Sequence, residues 1–166
     1  MNIFFVDIDP YDAARMLCDK HVVKMIMESA QLLSTAWRVL EGRPYYGLSK
    51  KGRRKMFYYL QPYAGISLDN RLYNATHVNH PCAVWVRENN SNFSWLATHL
   101  HCLSNEYSLR YNKVHKCEND GLISFFMKYY PPHIKLSTKT TTDFPQCMPD
   151  MYKDDDPESI QKLLYW

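Results

Sequence analysis

The sequence predicts a mainly α fold, a compact helical domain with a short N-terminal strand. Two long stretches, residues 10–40 and 91–111, carry apolar residues at helical spacing. A shorter helical pattern lies near residues 120–129. The strand is predicted at Ile3–Val6, a short apolar run that the acidic turn Asp7–Pro10 ends.

Capping signals set the expected bounds of the first helix. An Asp-Pro pair at positions 9 and 10 is typical of an N-cap followed by the first helical residue. We therefore expect helix from Pro10 to about Leu40, broken or re-capped at Asp19 and ended at Gly42. Residues 42–80 hold glycines, prolines and many tyrosines, and are predicted to form a long loop with at most one short helix.

The second half of the chain is predicted to be helical and then irregular. His80–Pro81 opens a helical region, and Ser91 is expected to cap a helix that runs to about Tyr111. The helix at 120–129 ends before a Pro-Pro pair. Residues 131–157 are expected to be irregular, with a last helix starting near Pro157.

Length and composition indicate one globular domain spanning residues 1–166. Hydrophobic residues make up 46% of the chain and charged residues 22%, which argues against disorder. The net charge of +3 does not by itself indicate nucleic-acid binding. Residues 50–55 nevertheless read KKGRRK, a run typical of a solvated loop or of one that contacts phosphates.

Cysteine usage predicts a reducing compartment. The chain has five cysteines, an odd number, and its N-terminus lacks the basic start and long apolar stretch of a secretory signal. No segment reaches about 18 consecutive apolar residues, so no membrane span is predicted. We expect a cytoplasmic protein with free thiols.

A polar stripe on the first long helix suggests an active site. Its members fall three or four residues apart and share one face of a helix that is otherwise apolar. A carboxylate beside two potential cations suits acid–base chemistry. The alternative is the solvent-facing side of an ordinary amphipathic helix. The stripe consists of His21, Lys24, Glu28, Gln31 and Thr35.

The second long helix repeats this pattern. Asn92, His99, Glu106 and Lys113 recur every seven residues, and Arg110 lies four residues after Glu106. Glu106 and Arg110 could equally be an ordinary i,i+4 ion pair, which contributes only about 0.3–0.5 kcal/mol when exposed.

Histidines and cysteines are scattered without a recognised metal-binding spacing. His77, His80 and Cys82 are close in sequence, but they match neither a structural zinc pattern nor an H-E-x-x-H motif. We therefore predict no metal and no cofactor. His80 is expected to cap a helix or to contact a phosphate, and Cys82 to be a small buried hydrophobic residue.

Two blocks resemble a known enzyme family. The stretch DKHVVKMIMESAQLL (residues 19–33) is similar to the D-Q-H-L-x-x-E-x-x-E block of endonuclease V-type pyrimidine-dimer DNA glycosylases, with Glu28 at the place of the catalytic glutamate. Residues 80–113 resemble the family's second block, H-P-x-x-x-W followed by a long helix. The chain also resembles a group of phage proteins that begin MNIF and share the DK-x-VVKM and NHPC-x-W blocks.

The resemblance implies an all-helical enzyme that flips a pyrimidine out of duplex DNA. In that family the α-amine of the N-terminal residue, exposed after removal of Met1, attacks the sugar C1′ and displaces the base. The catalytic glutamate then assists β-elimination at the abasic site. One difference is that residue 2 is the bulky Asn2.

The predicted site combines the resemblance with the polar stripes. The catalytic candidates are Glu28, His21, Lys24 and the amine at Met1. The candidates for contact with duplex DNA are His80, Arg87, Arg110, Lys51, Arg53 and Arg54. The other expected pocket residues are Asp19, Lys20, Gln31, Asn79, His99 and Glu106.

Two other functions fit the same residues. A phage enzyme that transfers a group onto a hypermodified thymine would also need a flipped base and a polar pocket. A non-enzymatic phage protein that binds a host factor would use the polar stripes only structurally. The sequence does not determine the oligomeric state.

Overall fold

The computed structural model describes residues 1–138, 140–147 and 153. In this part of the chain the fold is mostly helical, as predicted, with one two-stranded sheet. None of the helices described here is both long and apolar enough to cross a bilayer. In order, the elements are α1 (Pro10–Met16), α2 (Asp19–Glu41), β1 (Arg43–Leu48), β2 (Arg54–Tyr59), α3 (Leu68–Arg71), α4 (Pro81–Glu88), α5 (Asn90–Tyr111), α6 (Lys116–Asn119) and α7 (Leu122–Lys128).

The two long helices, α2 and α5, form the centre of the fold. They pack against each other, while α1 and α7 pack on α5 and α4 packs on both. The apolar face of α2 is fully buried at Val22, Ile26 and Leu33, and α5 contributes Leu96 and Leu100. These helices fix the positions of the polar side chains on their remaining faces.

The N-caps explain where the helices begin. The Asp9 carboxylate accepts hydrogen bonds from two N–H groups of α1, and the break before Asp19 occurs as predicted. His80 caps α4, as expected. The predicted cap at Ser91 is wrong: the side chain of Asn89 accepts from the Asn92 N–H at 2.9 Å.

The N-terminal strand predicted at Ile3–Val6 does not form. In the described part of the chain, residues 1–9 make no ladder with another strand, and they cross the helices in an irregular conformation. The apolar side chains of this segment pack onto helices, so the hydrophobic run reflects burial and not sheet pairing.

The only described sheet lies where a loop was predicted. β1 and β2 pair antiparallel from Arg43 opposite Tyr59 to Leu48 opposite Arg54. Nine of their twelve residues are exposed, on both faces of the ribbon, so the alternation that marks a half-buried strand is missing from the sequence. The short helix allowed for residues 42–80 is α3.

The third helical region begins later than predicted. The separate turn α6 precedes it, and Gly121 adopts a left-handed backbone conformation (φ 70°) before α7. Residues 131–138 and 140–147 are irregular, as expected. The helix predicted near Pro157 lies outside the described residues.

A buried arginine holds residues 42–80 to the helical core. Arg38, on α2, is only 3% exposed, and its guanidinium donates to the carbonyl oxygens of Tyr73, Tyr58, Asp69 and Leu72 at 2.6–2.9 Å. It also pairs with the Asp69 carboxylate at 2.7 Å. One side chain therefore joins the end of β2, α3 and the chain after α3 to the same helix.

We expect Arg38→Lys to lower the free energy of unfolding by about 3 kcal/mol, because an ammonium cannot reproduce this planar set of donors in a buried site. Urea denaturation monitored by circular dichroism would measure the loss. The control Arg43→Lys, at an exposed position of β1, should change stability by less than about 0.5 kcal/mol. A loss below about 1 kcal/mol for Arg38→Lys would contradict this role.

Candidate active site

The N-terminal segment is anchored by its aromatic side chains. Phe4 stacks on His21 of α2, with ring centroids 4.5 Å apart. Phe5 lies among Trp85, Trp95 and Phe144, stacked on Trp95. Because residues 4 and 5 are fixed on the helices, the residues before them are held at a defined place on α2.

This anchoring brings the start of the chain to Glu28. The backbone nitrogen of Asn2 donates to Oε2 of Glu28 at 3.2 Å. The other oxygen, Oε1, lies 3.4 Å from the Lys24 ammonium. The Glu28 side chain is 18% exposed and that of Lys24 65%, so the carboxylate is partly shielded while the cation reaches solvent.

His80 adjoins the same group of residues. Its Nδ1 accepts from the Cys82 N–H at 3.2 Å, which caps α4. Burial lowers the pKa of His80, the N-terminal ammonium and His77 lower it further, and the Glu28 carboxylate partly offsets them. The α-amine and Glu28 are therefore both within electrostatic reach of an imidazole that favours its neutral form.

The remaining stripe residues lie along α2. Thr35 is fully buried, and its hydroxyl donates to the Gln31 carbonyl oxygen at 2.7 Å and accepts from the Thr76 N–H at 3.3 Å. Gln31 is half-buried, and the predicted pocket residues Lys20 and Asn79 are exposed. The stripe is thus covered at its C-terminal end by residues 73–80 and at its middle by the N-terminal segment.

The predicted residues Asp19, Glu106 and Arg110 form a separate network. Arg110 pairs with Glu106 at 2.9 Å, which confirms the i,i+4 ion pair, and with Asp19 at 3.1 Å. It also donates to the carbonyl oxygens of Leu17 and Arg15. These bonds join the C-terminal end of α1 to α5.

Arg87 also makes its hydrogen bonds within the protein. It donates to the carbonyl oxygens of Val78 and Ala83, at 2.6 and 3.0 Å. These bonds hold the turn that leads to His80 against α4. Contact of Arg87 or Arg110 with DNA stays a prediction.

His99 lies in the core. It is 1% exposed, stacks on Trp95, and its Nδ1 lies 3.1 Å from the Pro10 carbonyl oxygen. The carbonyl accepts, so Nδ1 carries the proton, and Nε2 is buried without a partner among the described residues. The structure therefore places His99 at the contact between α1 and α5.

The basic run forms the tip of the β1–β2 hairpin. The Lys51, Arg53 and Arg54 side chains are exposed, and the Arg54 guanidinium lies 4.4 Å from the centre of the Tyr46 ring. We call residues 43–59 the basic arm. It projects exposed cations and tyrosines from the end of α2.

Sequence reasoning missed two features of the site. The sequence pattern predicts a strand at Phe4 and Phe5, but the packing of these two rings on the helices is what holds Asn2 beside Glu28. Cys147 was not associated with the site, yet its sulfur lies 3.4 Å from that of Cys82. No local signal could have revealed a contact across 65 residues.

Comparison with known families identifies the family of this chain. The model of the pyrimidine dimer DNA glycosylase family matches residues 1–119, which include the N-terminal segment, α2 and α5. The chain belongs to this family. Membership supports a DNA glycosylase-like function on pyrimidine dimers, with DNA as the substrate. Neither the curated proteins nor the solved structures gave a significant match.

We expect His99 to make stability depend on pH. Burial lowers the pKa of His99 to about 4, while an unfolded histidine titrates near about 6.5. Between these values the unfolded chain binds the proton and the folded chain does not. Stability should therefore fall by up to about 3 kcal/mol as pH drops from about 6.5 to about 4.

Denaturation at a series of pH values would measure this decline. His99→Gln removes this titrating group and should make the decline in that window clearly smaller, whatever its stability at neutral pH. His101→Gln, two residues further along α5, keeps His99 and should keep the decline. Equal pH profiles for the wild type and His99→Gln would refute the assignment.

Proposed function

We propose that the protein is a pyrimidine-dimer DNA glycosylase with associated abasic-site lyase activity, and that its nucleophile is the α-amine of Asn2, freed by removal of Met1. The observation that carries this proposal is the 3.2 Å contact between the Asn2 nitrogen and Oε2 of Glu28. Removal of Met1 would turn a peptide nitrogen already beside this carboxylate into a primary amine.

The reaction uses these two groups in sequence. The uncharged amine attacks C1′ of the damaged nucleotide, and the bond from C1′ to the base breaks, with the electron pair leaving on the base. Loss of a proton from nitrogen and opening of the sugar ring give an imine. Glu28 then removes a C2′ proton, and the 3′ phosphate leaves by β-elimination.

Neighbouring side chains support these steps. The Lys24 ammonium lies 3.4 Å from Oε1 and forms an i,i+4 ion pair with Glu28, which helps to hold the carboxylate in place. His80 favours its neutral form and carries its proton on Nε2, because Nδ1 accepts from the Cys82 N–H, so the ring can donate to a phosphate. His21 acts through Phe4, whose ring it supports, and so positions the start of the chain.

The basic arm supplies the charge for holding duplex DNA. Residues 43–59 contain six Lys and Arg and no acidic residue, whereas the whole chain has a net charge of +3. The rest of the chain is therefore net acidic, and positive charge is concentrated on one exposed ribbon. A two-stranded ribbon of this size fits a DNA groove, where cations contact phosphates.

Borohydride trapping tests the chemistry. With duplex DNA that carries a cyclobutane pyrimidine dimer or an abasic site, we expect a reduced covalent adduct that maps to the N-terminal peptide. Intact-mass measurement would show whether Met1 is removed. Glu28→Gln should lower strand cleavage at abasic sites by about 10²- to 10⁴-fold, because it removes the base.

Glu41→Gln is the matched control, since it changes a carboxylate at the C-terminal end of the same helix, 13 residues after Glu28, and should leave cleavage unchanged. An adduct on another residue would exclude the α-amine as nucleophile. Intact strands carrying a transferred group would favour a base-modifying enzyme, and absence of any DNA binding would favour a binding protein.

The salt dependence of DNA binding tests the basic arm. Each phosphate contact contributes about 0.9 to the slope of log K against log salt concentration. The triple variant Lys51→Ala, Arg53→Ala, Arg54→Ala should therefore lower the slope by about 2 to 3. Fluorescence anisotropy of a labelled duplex at several salt concentrations would measure it.

The control removes the same charge from exposed positions outside the arm, with Lys113→Ala, Lys128→Ala and Lys135→Ala. This variant should change the slope by less than about one. If both triple variants lower the slope equally, binding does not depend on the arm.

A further inference from the structure

Three metal-ligating side chains meet beside the N-terminal segment. The ligand atoms of His80, Cys82 and Cys147 all lie within 4.8 Å of one another, and the two sulfurs are 3.4 Å apart. Zinc bonds of about 2.3 Å to sulfur and 2.0–2.1 Å to nitrogen place tetrahedral ligands roughly 3.3–3.8 Å apart. Small side-chain movements would bring all three atoms to these distances.

We propose that His80, Cys82 and Cys147 bind a divalent cation of borderline-soft character, of which Zn²⁺ is the representative. Such a cation prefers thiolate and imidazole donors. Cations such as Mg²⁺ prefer oxygen donors and would not bind here. Three protein ligands leave a fourth tetrahedral position open to water.

The segment that leads to Cys147 is held on the helices by contacts other than that of the two sulfurs, and Cys147 itself packs against the hydrophobic core. The Thr142 backbone N–H donates to the Asn92 side chain at 3.0 Å, and the Thr142 hydroxyl accepts from the Asn92 amide at 2.8 Å. Trp85 donates its indole N–H to the Thr142 carbonyl oxygen, and Phe144 packs against Phe5. Residues 142–144 are thus bound to α4, α5 and the N-terminal segment by their own contacts.

A cation would replace the helix cap that His80 makes. The Nδ1 lone pair accepts from the Cys82 N–H, so a neutral ring carries its proton on Nε2. Coordination through Nδ1 uses this lone pair directly, and coordination through Nε2 moves the proton to Nδ1. Either way, the ring exchanges a hydrogen bond at 3.2 Å for a bond to the cation.

The site would join three separate parts of the chain. Cys82, at the start of α4, accepts a hydrogen bond from the backbone of Ile3, and its thiol would release its proton on binding a cation. Cys147 comes from the far end of the described chain. A bound cation would therefore fix residues 140–147 beside the residues that precede Phe4.

Titration of the full chain with Co²⁺ in a thiol-free reductant, without DNA, tests the proposal. We expect one equivalent to give the strong visible bands of tetrahedral Co²⁺ together with thiolate-to-cobalt charge transfer. Both signals should be lost in Cys82→Ser and in Cys147→Ser. His80→Gln should shift the visible bands, because water replaces the imidazole.

Cys18→Ser is the control, since Cys18 is exposed and is not part of the cluster, and it should keep the full spectrum. Circular dichroism of each variant would check folding. If Cys82→Ser does not fold, the Cys147→Ser variant tests the proposal, because Cys147 is only half-buried.

A wild type without these bands, or bands that persist in folded Cys147→Ser, would overturn the proposal. So would a Cys82–Cys147 disulfide that persists in the reductant. Because DNA is absent, a negative result here would not bear on the glycosylase, and an inactive glycosylase would not bear on the cation.

Discussion

The packing of the N-terminal segment is the constraint on which the candidate site depends. Phe4 lies on His21, and Phe5 lies among aromatic rings from α4, α5 and residues 140–147. These contacts offset the entropy that a chain terminus loses when it is ordered. They hold the Asn2 nitrogen at Glu28 before any substrate binds. The proposed amine catalysis would benefit from such preorganisation, because the proposed nucleophile and the Glu28 carboxylate are already in contact.

The two long helices explain why a polar site can exist in this core. α2 buries its apolar face against α5 and presents its polar stripe on the opposite side. Residues 1–5 cover the middle of that stripe, and the chain after α3 covers its C-terminal end. Glu28 is therefore shielded from most of the solvent while Lys24 remains in it, and their ion pair lies at the edge of the covered region.

The cations proposed to contact DNA and the residues proposed to react lie in different parts of the molecule. The cations that suit DNA contact are concentrated on the basic arm, which the buried Arg38 joins to α2 through the carbonyl oxygen of Tyr58. The residues proposed to react lie around Glu28, near the middle of α2. The second cluster of reactive side chains, His80 with Cys82 and Cys147, adjoins Glu28 and not the arm. Helix α2 thus connects the basic arm, which is proposed to bind DNA, to the residues proposed to react.

The sequence by itself determined the helical class, the break between α1 and α2, and the alignment of His21, Lys24 and Glu28 on one face. These features depend on contacts within about four residues, which a linear pattern records. The family motif added the role expected of Glu28. Only the tertiary structure showed that Ile3–Val6 is not a strand, that residues 43–59 form a hairpin, and that His99 is a core residue. It alone brought Asn2 to Glu28 and Cys147 to Cys82, because packing between residues 26 and 65 positions apart leaves no periodic signal in the sequence.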